Sequence, residues 1–374
     1  MDKLKISVLF WEDRSKEGTE HDEVVDEVAA ALSESGHKVS LIGISDDLRE
    51  LLDKLDDKQP NLVFNLCESF ADNDVYEMHV TAVLAMLGQP FTGTGPAGMA
   101  LRQDKSVTKK LLKFHGVPYP NYATFDKDNL EFAGKMRFPL FVKPLHGDTS
   151  LGIDDSSLVT EYSKLIERIG FIQKQLNVPA LVEEYIEGRE FYVGILGNDP
   201  AEILPLMELD FAKLPAGYPR IYGNDAKSDE DSLQYGAVNA IVATELAPEV
   251  RARLIMAGRE AAYALKVQDY ARVDIRLSAD GIPIVVEVNA NPYLEQTSAF
   301  PLAALQAGMG YSMLINRIVE IARKRWEPTP FLKELQKDRA GRAKIRRKAA
   351  KLALSYKPAS LKENTKQNIE KPTK

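Results

Sequence analysis

The sequence ARVDIRLSADGIPIVVEVN occupies residues 271–289 and predicts a β-hairpin. Its Asp280-Gly281 pair separates two runs of alternating residues, as in a two-residue type I′ turn. Such a turn fixes the register of the strands, and side chains alternate between the two faces. One face would then carry two opposed polar pairs, Asp274 with Glu287 and Arg272 with Asn289. The other face would be apolar, with Val273, Ile275, Val286 and Val288.

The polar face of this hairpin is a candidate metal site. Opposed carboxylates repel each other, and Arg272, one pair further along, is not expected between them. A hard cation such as Mg²⁺ binds carboxylate and amide oxygens and leaves positions open for phosphate oxygens. The pattern therefore predicts Asp274, Glu287 and Asn289 as Mg²⁺ ligands at a nucleotide site. It also fits a solvent-facing polar face without a metal.

Short apolar runs alternate with amphipathic helical patterns over the first 95 residues. This alternation predicts an α/β unit in which helices cover a doubly wound parallel sheet. The predicted strands are 5–10, 39–44 and 61–67, and the predicted helices are 24–36, 46–55 and 76–87. A run of Gly, Thr and Pro at 92–96 ends the unit.

The rest of the chain mixes helices and strands, so the predicted class is α/β with an α+β portion. Predicted helices cover 104–114 and 248–265, and predicted strands cover 140–143, 180–185, 191–196 and 203–207. A polar stretch of about 30 residues from Glu208 has the length of a lid or binding loop. We expect four segments: an N-terminal α/β substrate subdomain (1–96), a central subdomain (97–186), a C-terminal subdomain with the metal site (187–327) and a basic helical or disordered tail (328–374).

Charge is distributed unevenly along the chain, whose formal net charge is -7. Residues 323–374 contain 17 Lys and Arg against 5 Asp and Glu, so a tail of charge +12 follows a body of charge -19. The acidic body argues against a nucleic-acid partner. The tail fits either a solvated helix with a polar end or a contact with an anionic surface.

Apolar runs and cysteine usage restrict the class of protein further. The run at residues 6–11 is too short for a signal sequence, and no run approaches the roughly 18 residues of a membrane span. We therefore expect a cytoplasmic protein with no membrane partner. The single cysteine, Cys67, and five scattered histidines argue against a disulfide framework and a cysteine-based zinc site.

Two further segments are candidates for nucleotide contacts. Lys143 ends an apolar strand, and the small, hydroxyl-bearing loop that follows offers backbone N–H groups to phosphates, although it lacks the Walker A pattern. Lys105 could add a second positive charge. In the segment LVEEYIEGRE at residues 181–190, carboxylates could bind the adenine amino group and the ribose hydroxyls. Each feature alone also fits an ordinary solvated surface.

Taken in order, these segments resemble the ATP-grasp superfamily and, within it, the D-alanine–D-alanine ligase family. The similarity covers about residues 61–321 and includes EVNANP at 287–292, SAFP at 298–301 and ALQAG at 304–308. It implies an ATP-grasp fold with ATP between the central and C-terminal subdomains. It also implies two Mg²⁺ ions, with Mn²⁺ as the alternative, and a homodimer.

The resemblance also assigns roles to individual residues. The nucleotide site would contain phosphate-binding lysines Lys105 and Lys143, the loop residues Thr149 and Ser150, adenine contacts at Glu183 and the Ile186 backbone, and the ribose-binding Glu190. Asp274, Glu287 and Asn289 match the metal ligands. Catalytic and substrate contacts would be Arg272 at the reacting carboxylate and tetrahedral intermediate, Lys227 in the lid, and Ser298 at the carboxylate of the second substrate.

The chain departs from this family where the substrates would bind. The first strand leads into FWEDR at 10–14 without the family's glycine pair, and Tyr293-Leu294-Glu295 replaces Gly-Met-Thr after Pro292. The lid tyrosine is replaced by Ser228. Our hypothesis is that Glu12 or Glu68 binds the amine of the first substrate. Tyr293 and Glu295 would reshape the acceptor pocket for a different amino acid or amine.

Three functions remain open at this point. The leading one is an ATP- and Mg²⁺-dependent ligase that joins two small amino-acid-like or dipeptide-like substrates through an acyl phosphate, with no nucleophilic side chain required. The second is a ligase that modifies a peptide or protein terminus. The third is a non-catalytic nucleotide-binding protein. The sequence identifies neither substrate nor its chirality.

Overall fold

The computed structural model describes residues 2–14, 21–126, 130–133, 135–147, 152–223, 232–234 and 236–327, with 130–133 as backbone alone. Residues 1–325 form one compact unit. Among the described residues, no helix is long and apolar enough to cross a membrane. The helices are α1 (Glu23–Glu34), α2 (Leu48–Lys58), α3 (Glu77–Leu87), α4 (Pro96–Gln103), α5 (Lys105–Phe114), α6 (Tyr162–Phe171), α7 (Pro248–Ala264), α8 (Ala299–Gln306) and α9 (Tyr311–Arg325).

The first sheet is parallel, as the alternation of strands and helices predicts. Its strands are β1 (Lys5–Trp11), β2 (Lys38–Ile44) and β3 (Leu62–Asn65), in the order β2-β1-β3. The central strand is apolar and buried because it has a neighbour on each side and helices on its faces. The carboxyl end of β3 leads directly to Cys67 and Glu68, which places these residues at one edge of the sheet.

The second sheet is antiparallel and has the order β5-β4-β8-β6-β7. Its strands are β4 (Tyr122–Phe125), β5 (Leu130–Ala133), β6 (Leu140–Pro144), β7 (Leu158–Val159) and β8 (Ala180–Glu184). Phe141 on β6 pairs with Glu183 on β8. Because side chains alternate, Lys143 lies on the same face as these two residues. The second sheet therefore carries a lysine and a glutamate side by side.

The third sheet has the order β12-β11-β9-β13-β14, and β10 pairs with β9. Its strands are β9 (Arg189–Leu196), β10 (Glu202–Ile203), β11 (Met207–Asp210), β12 (Asn239–Val242), β13 (Tyr270–Leu277) and β14 (Pro283–Asn289). The predicted single strand 203–207 is wrong, because the chain forms β10 and β11 with a break between them. Pro205 lies in that break and has no N–H to continue the hydrogen-bond ladder.

The hairpin of β13 and β14 corrects one part of its prediction and confirms another. The turn is a three-residue loop, since Ser278 N donates to Ile282 O at 3.0 Å and Gly281 takes a φ of +70°. A β-bulge beyond Asp274 then shifts the register by one residue. The two shifts cancel, so the predicted pairs Asp274 with Glu287 and Arg272 with Asn289 are both present.

Val286 is the residue that the bulge leaves unpaired, and its predicted orientation is wrong. It lines a cavity together with Glu287, whereas Val285 and Val288 belong to the buried core on the other face. Two successive residues of β14 therefore point to the same side, which strict alternation does not allow.

The described residues place each sheet within one predicted subdomain, whose boundaries stay a prediction. A single apolar core nevertheless joins the first and third sheets through α1, α8 and α9. At the end of α9, Arg325 pairs with the fully buried Asp269 at 2.7 Å. Helix α9 is thereby fixed against the start of β13.

Candidate functional site

Two adjoining cavities lie along the β13–β14 hairpin. The first, of about 130 Å³, runs between the second and third sheets, and the second, of about 700 Å³, extends toward the edge of the first sheet. Four residues line both cavities: Tyr192, Tyr222, Arg272 and Asn289. A ligand in one cavity would therefore meet a ligand in the other at Arg272 and Asn289.

The predicted metal ligands are brought together in the first cavity, lined by Asp274, Glu287 and Asn289. Asn289 Nδ2 donates to Asp274 Oδ2 at 3.0 Å, which leaves the Asn289 carbonyl oxygen to face a ligand. Two carboxylates and an amide oxygen are the donors that a hard cation prefers. This donor set fits Mg²⁺ or Mn²⁺. The set contains two carboxylates, and its third ligand is the Asn289 amide. Among the described residues, no group made of three or more His, Cys, Asp and Glu side chains could hold a metal ion.

Arg272 lies closer to the carboxylates than the hairpin pattern predicts. Its Nε and Nη2 atoms donate to the two oxygens of Asp274 at 2.7 and 2.9 Å, and its guanidinium stacks over the Tyr192 ring at 4.3 Å. Arg272 is therefore paired with Asp274, a contact that the hairpin pattern did not predict. Burial, with a smaller contribution from the negative charge of Glu287, raises the pKa of Asp274 to about 6 against the opposing effect of Arg272.

A buried triad of charges lies beside the same cavity, which two of its members, Glu183 and Lys143, line. Glu183 on β8 contacts the ammonium groups of Lys143, at 3.1 Å, and Lys109. All three side chains are at most 7% exposed. Burial disfavours the charged form of Glu183, but the two ammonium groups outweigh that effect and lower its pKa. Glu183 is therefore a carboxylate held between two lysines, in addition to lining the predicted adenine end.

Lys109 was not predicted, and it is connected to the site through its contact with Glu183. It follows Lys105 by four residues on α5, so both lysines lie on one side of that helix. The four-residue spacing from Lys105 could have identified Lys109 from the sequence. Lys105 itself does not line the first cavity, and its Nζ atom donates to Gly147 O at 2.6 Å, beside the loop that follows β6.

The segment between β8 and β9 closes one end of the first cavity with Tyr185, Ile186 and Glu190. Glu190 is paired with Arg276, whose Nε and Nη2 atoms donate to Glu190 Oε2 at 2.9 and 2.7 Å. Arg276 was not predicted, although it continues the Arg272 and Asp274 face of the strand with a period of two. Strand periodicity alone was enough to find it.

The second cavity contains most of the predicted substrate contacts, namely Glu68, Tyr293, Glu295 and Ser298. Glu12 does not line it and instead pairs with Arg14. Tyr293 donates to Asp22, the N-cap residue of α1, at 2.6 Å, and Ser298 donates to the Tyr293 carbonyl at 2.8 Å. Of the two glutamates in the hypothesis, the structure therefore brings only Glu68 to this cavity.

Two further charged residues of the second cavity were not predicted. Glu77 at the start of α3 pairs with Arg102 near the end of α4, and both side chains are buried. The partners are separated along the chain and belong to different helices, so no local spacing indicated the pair. The remaining predicted site residues, Lys227, Thr149 and Ser150, lie outside the described residues.

Comparison with known proteins gives consistent matches. The family model described as D-ala D-ala ligase C-terminus matches residues 111–320. An uncharacterized protein, y4sG, of Sinorhizobium fredii is 36% identical over 308 residues, which are 81% of this chain and 88% of that protein. A D-alanine–D-alanine ligase of Carboxydothermus hydrogenoformans is 29% identical over 306 residues, covering 79% of this chain and 90% of that protein.

Among solved structures, the D-alanine–D-alanine ligase of Bacillus anthracis complexed with ATP superimposes with a TM-score of 0.67. The alignment covers 87% of this chain and 99% of that chain at 23% identity. At this identity the superposition shows a shared fold.

Proposed function

This chain belongs to the D-alanine–D-alanine ligase family of ATP-grasp proteins, which are ATP-dependent C–N ligases, and we propose that it joins two amino-acid-like substrates through an acyl phosphate. The observation that carries the proposal is the position of Arg272. Its side chain lines both cavities, so a phosphate in the first and a carboxylate in the second would meet beside one guanidinium group. This is the arrangement that phosphoryl transfer to a carboxylate requires.

In the first step, an oxygen of the donor carboxylate forms a bond to the γ-phosphorus of ATP. The bond from that phosphorus to the β,γ-bridging oxygen breaks, and ADP leaves. Lys143 would neutralise phosphate charge from its buried position, with Lys105 beside the neighbouring loop. Asp274, Glu287 and Asn289 would hold two Mg²⁺ or Mn²⁺ ions, which supply further charge neutralisation at the phosphates when bound.

In the second step, the amine of the acceptor attacks the carbonyl carbon of the acyl phosphate. A tetrahedral intermediate forms, then expels inorganic phosphate, and the nitrogen loses its proton to leave an amide. Arg272 would stabilise the developing oxyanion from the junction of the two cavities. The site supplies positioning and charge, and no side chain needs to form a covalent bond to substrate.

The lining of the second cavity supports substrates that carry amino groups. Glu68 would bind the amine of the first substrate, and Ser298 lies where the carboxylate of the second is expected. Tyr293 and Glu295 would select the acceptor, because one is bulky and the other acidic. A cavity of about 700 Å³ accommodates amino acids larger than alanine.

The decisive experiment measures phosphate release from ATP and Mg²⁺ with D- and L-amino acids, singly and in pairs. We expect release that requires one particular pair and produces one amide per phosphate. Glu287→Gln should abolish it, whereas Glu202→Gln, an exposed glutamate outside both cavities, should retain it. If ATP binds but no amino acid or pair causes phosphate release, the protein does not join free amino acids. Phosphate release only with peptides would assign a peptide acceptor instead.

A further inference from the structure

Arg276 is a buried arginine in the first cavity to which the proposed mechanism gives no role. It lies on β13, two residues beyond Asp274 and four beyond Arg272, on the same face of the strand. Its side chain is 7% exposed and lines the cavity. An arginine buried this deeply needs partners for its donors, because an unpaired guanidinium would be costly.

Three partners of Arg276 line the cavity, and the fourth, Arg220, precedes the lining residue Ile221. Nε and Nη2 donate to the same oxygen of Glu190, Oε2, while Nη1 donates to Ile186 O at 3.0 Å. Nη2 also donates to Arg220 O at 2.5 Å. The guanidinium plane lies over the Tyr185 ring at 4.7 Å. The Arg276 side chain thus connects strand β13 to the segment at residues 186–190 and to the segment at Arg220.

Arg276 binds only one of the two carboxylate oxygens of Glu190. Both hydrogen bonds that Arg276 donates to Glu190 end on Oε2, which leaves Oε1 as the oxygen available to the cavity that Glu190 lines. Two donors on one oxygen restrain the position of that oxygen, which limits the directions in which the second oxygen can point. Such an oxygen is suited to accept hydrogen bonds from a vicinal diol.

We propose that Arg276 is a positioning residue that sets nucleotide selectivity by orienting Glu190 toward the ribose hydroxyls. The inference rests on the proposed function for the binding of ATP, and on the sequence-based expectation that Glu190 faces its ribose. Lysine cannot replace Arg276, because a single ammonium group lacks the planar fork that reaches Glu190, Ile186 O and Arg220 O together.

The test compares ATP with 2′-deoxy-ATP and 3′-deoxy-ATP in the full-length protein and in Arg276→Met, Arg276→Lys and Glu190→Gln. The wild type should favour ATP over at least one deoxy analogue by about 10- to 150-fold, the range for a hydrogen bond to a charged group. Arg276→Met and Arg276→Lys should reduce this preference to within about threefold, mostly through KM rather than kcat. The double variant Arg276→Met with Glu190→Gln should keep as much of the preference for ATP over the deoxy analogues as Arg276→Met alone, because both substitutions remove the same contact with the ribose.

The control is Arg189→Met, which breaks a neighbouring arginine–glutamate pair with Glu208 but does not line the cavity. It should keep the wild-type preference for ATP. A purely structural Arg276 would lower the use of ATP and of the deoxy analogues equally, and that result would overturn the inference. So would an unchanged preference in Arg276→Met.

The same comparison with ADP and its deoxy analogues, measured by calorimetry, separates this inference from the proposed function. Selective binding that is lost in Arg276→Met supports the role of Arg276 even if no amino-acid pair is ligated. Ligation without any preference between ribose and deoxyribose would overturn the role of Arg276 and leave the proposed function intact. A wild-type protein that binds none of these nucleotides would overturn both.

Discussion

The ammonium group of Lys143 lies 3.1 Å from the carboxylate of Glu183, and Lys109 contacts the same carboxylate from the other side. Removing the central negative charge would leave two buried ammonium groups facing each other. Glu183→Gln should therefore lower the free energy of unfolding by about 3–5 kcal/mol, as expected when one partner of a buried ion pair is lost. Urea denaturation followed by circular dichroism measures this change.

A compensating change separates charge from packing at this triad. Lys109→Met added to Glu183→Gln should recover part of the lost stability, because it removes one of the two uncompensated charges. Glu187→Gln, at an exposed position in the same segment, should stay within about 0.5 kcal/mol of the wild type. A double variant no more stable than Glu183→Gln would show that the triad contributes through shape alone.

Arg272 should affect turnover much more than nucleotide binding. Because it would stabilise charge that develops during the reaction, Arg272→Met should lower kcat by about 10²- to 10³-fold with little change in the KM for ATP. Steady-state kinetics at saturating amino acids measures both constants. An equal loss in nucleotide affinity would instead assign Arg272 to ATP binding.

Glu295 and Tyr293 should determine which acceptor is used. Removing the charge in Glu295→Gln, or the ring in Tyr293→Gly, should change the ranking of acceptors in the phosphate-release panel. Tyr293→Phe is the matched control, since it keeps the ring and loses only the hydrogen bond to Asp22. If both test variants ranked the acceptors as the wild type does, another part of the second cavity would set the preference.

Cys67 should be inert in the folded protein across the alkaline range. Its side chain is 1% exposed, and burial raises the pKa of the thiol far above its usual range, with a further contribution from Glu77. A raised thiol pKa means that the reactive thiolate is scarce at pH 8 and stays scarce as the pH rises to 10. Iodoacetamide labelling followed by mass spectrometry should modify Cys67 only after denaturation. Rapid labelling of the native protein, with loss of activity, would contradict this.

The hairpin illustrates why local pattern predicts some of the site and misplaces the rest. Alternation and an Asp-Gly turn predicted the pair Asp274 and Glu287 correctly, but the predicted turn length was wrong and the bulge was not predicted. The two errors cancelled. The turn length and the bulge each shift the pairing of the strands by one residue, so the predicted pairs can be correct although neither feature was predicted correctly. The orientation of Val286 depends on the bulge, and its prediction was therefore wrong.

Longer-range contacts explain what no local pattern could predict. Arg276 and Lys109 each followed a regular spacing from a residue already identified, so periodicity could have found them. Glu77 and Arg102 meet only because α3 and α4 pack together, and that packing is set by the whole subdomain. The break at Pro205 was legible in the sequence, since proline cannot donate within a ladder.

The bulge at Val286 has a practical consequence for protein engineering. It separates the tip of the hairpin, Ala279–Gly281, from the end that pairs Asp274 with Glu287. The tip residues Ala279 and Asp280 are exposed and line neither cavity. A fluorophore or short peptide tag attached there would report on the protein while leaving the carboxylate pair in register.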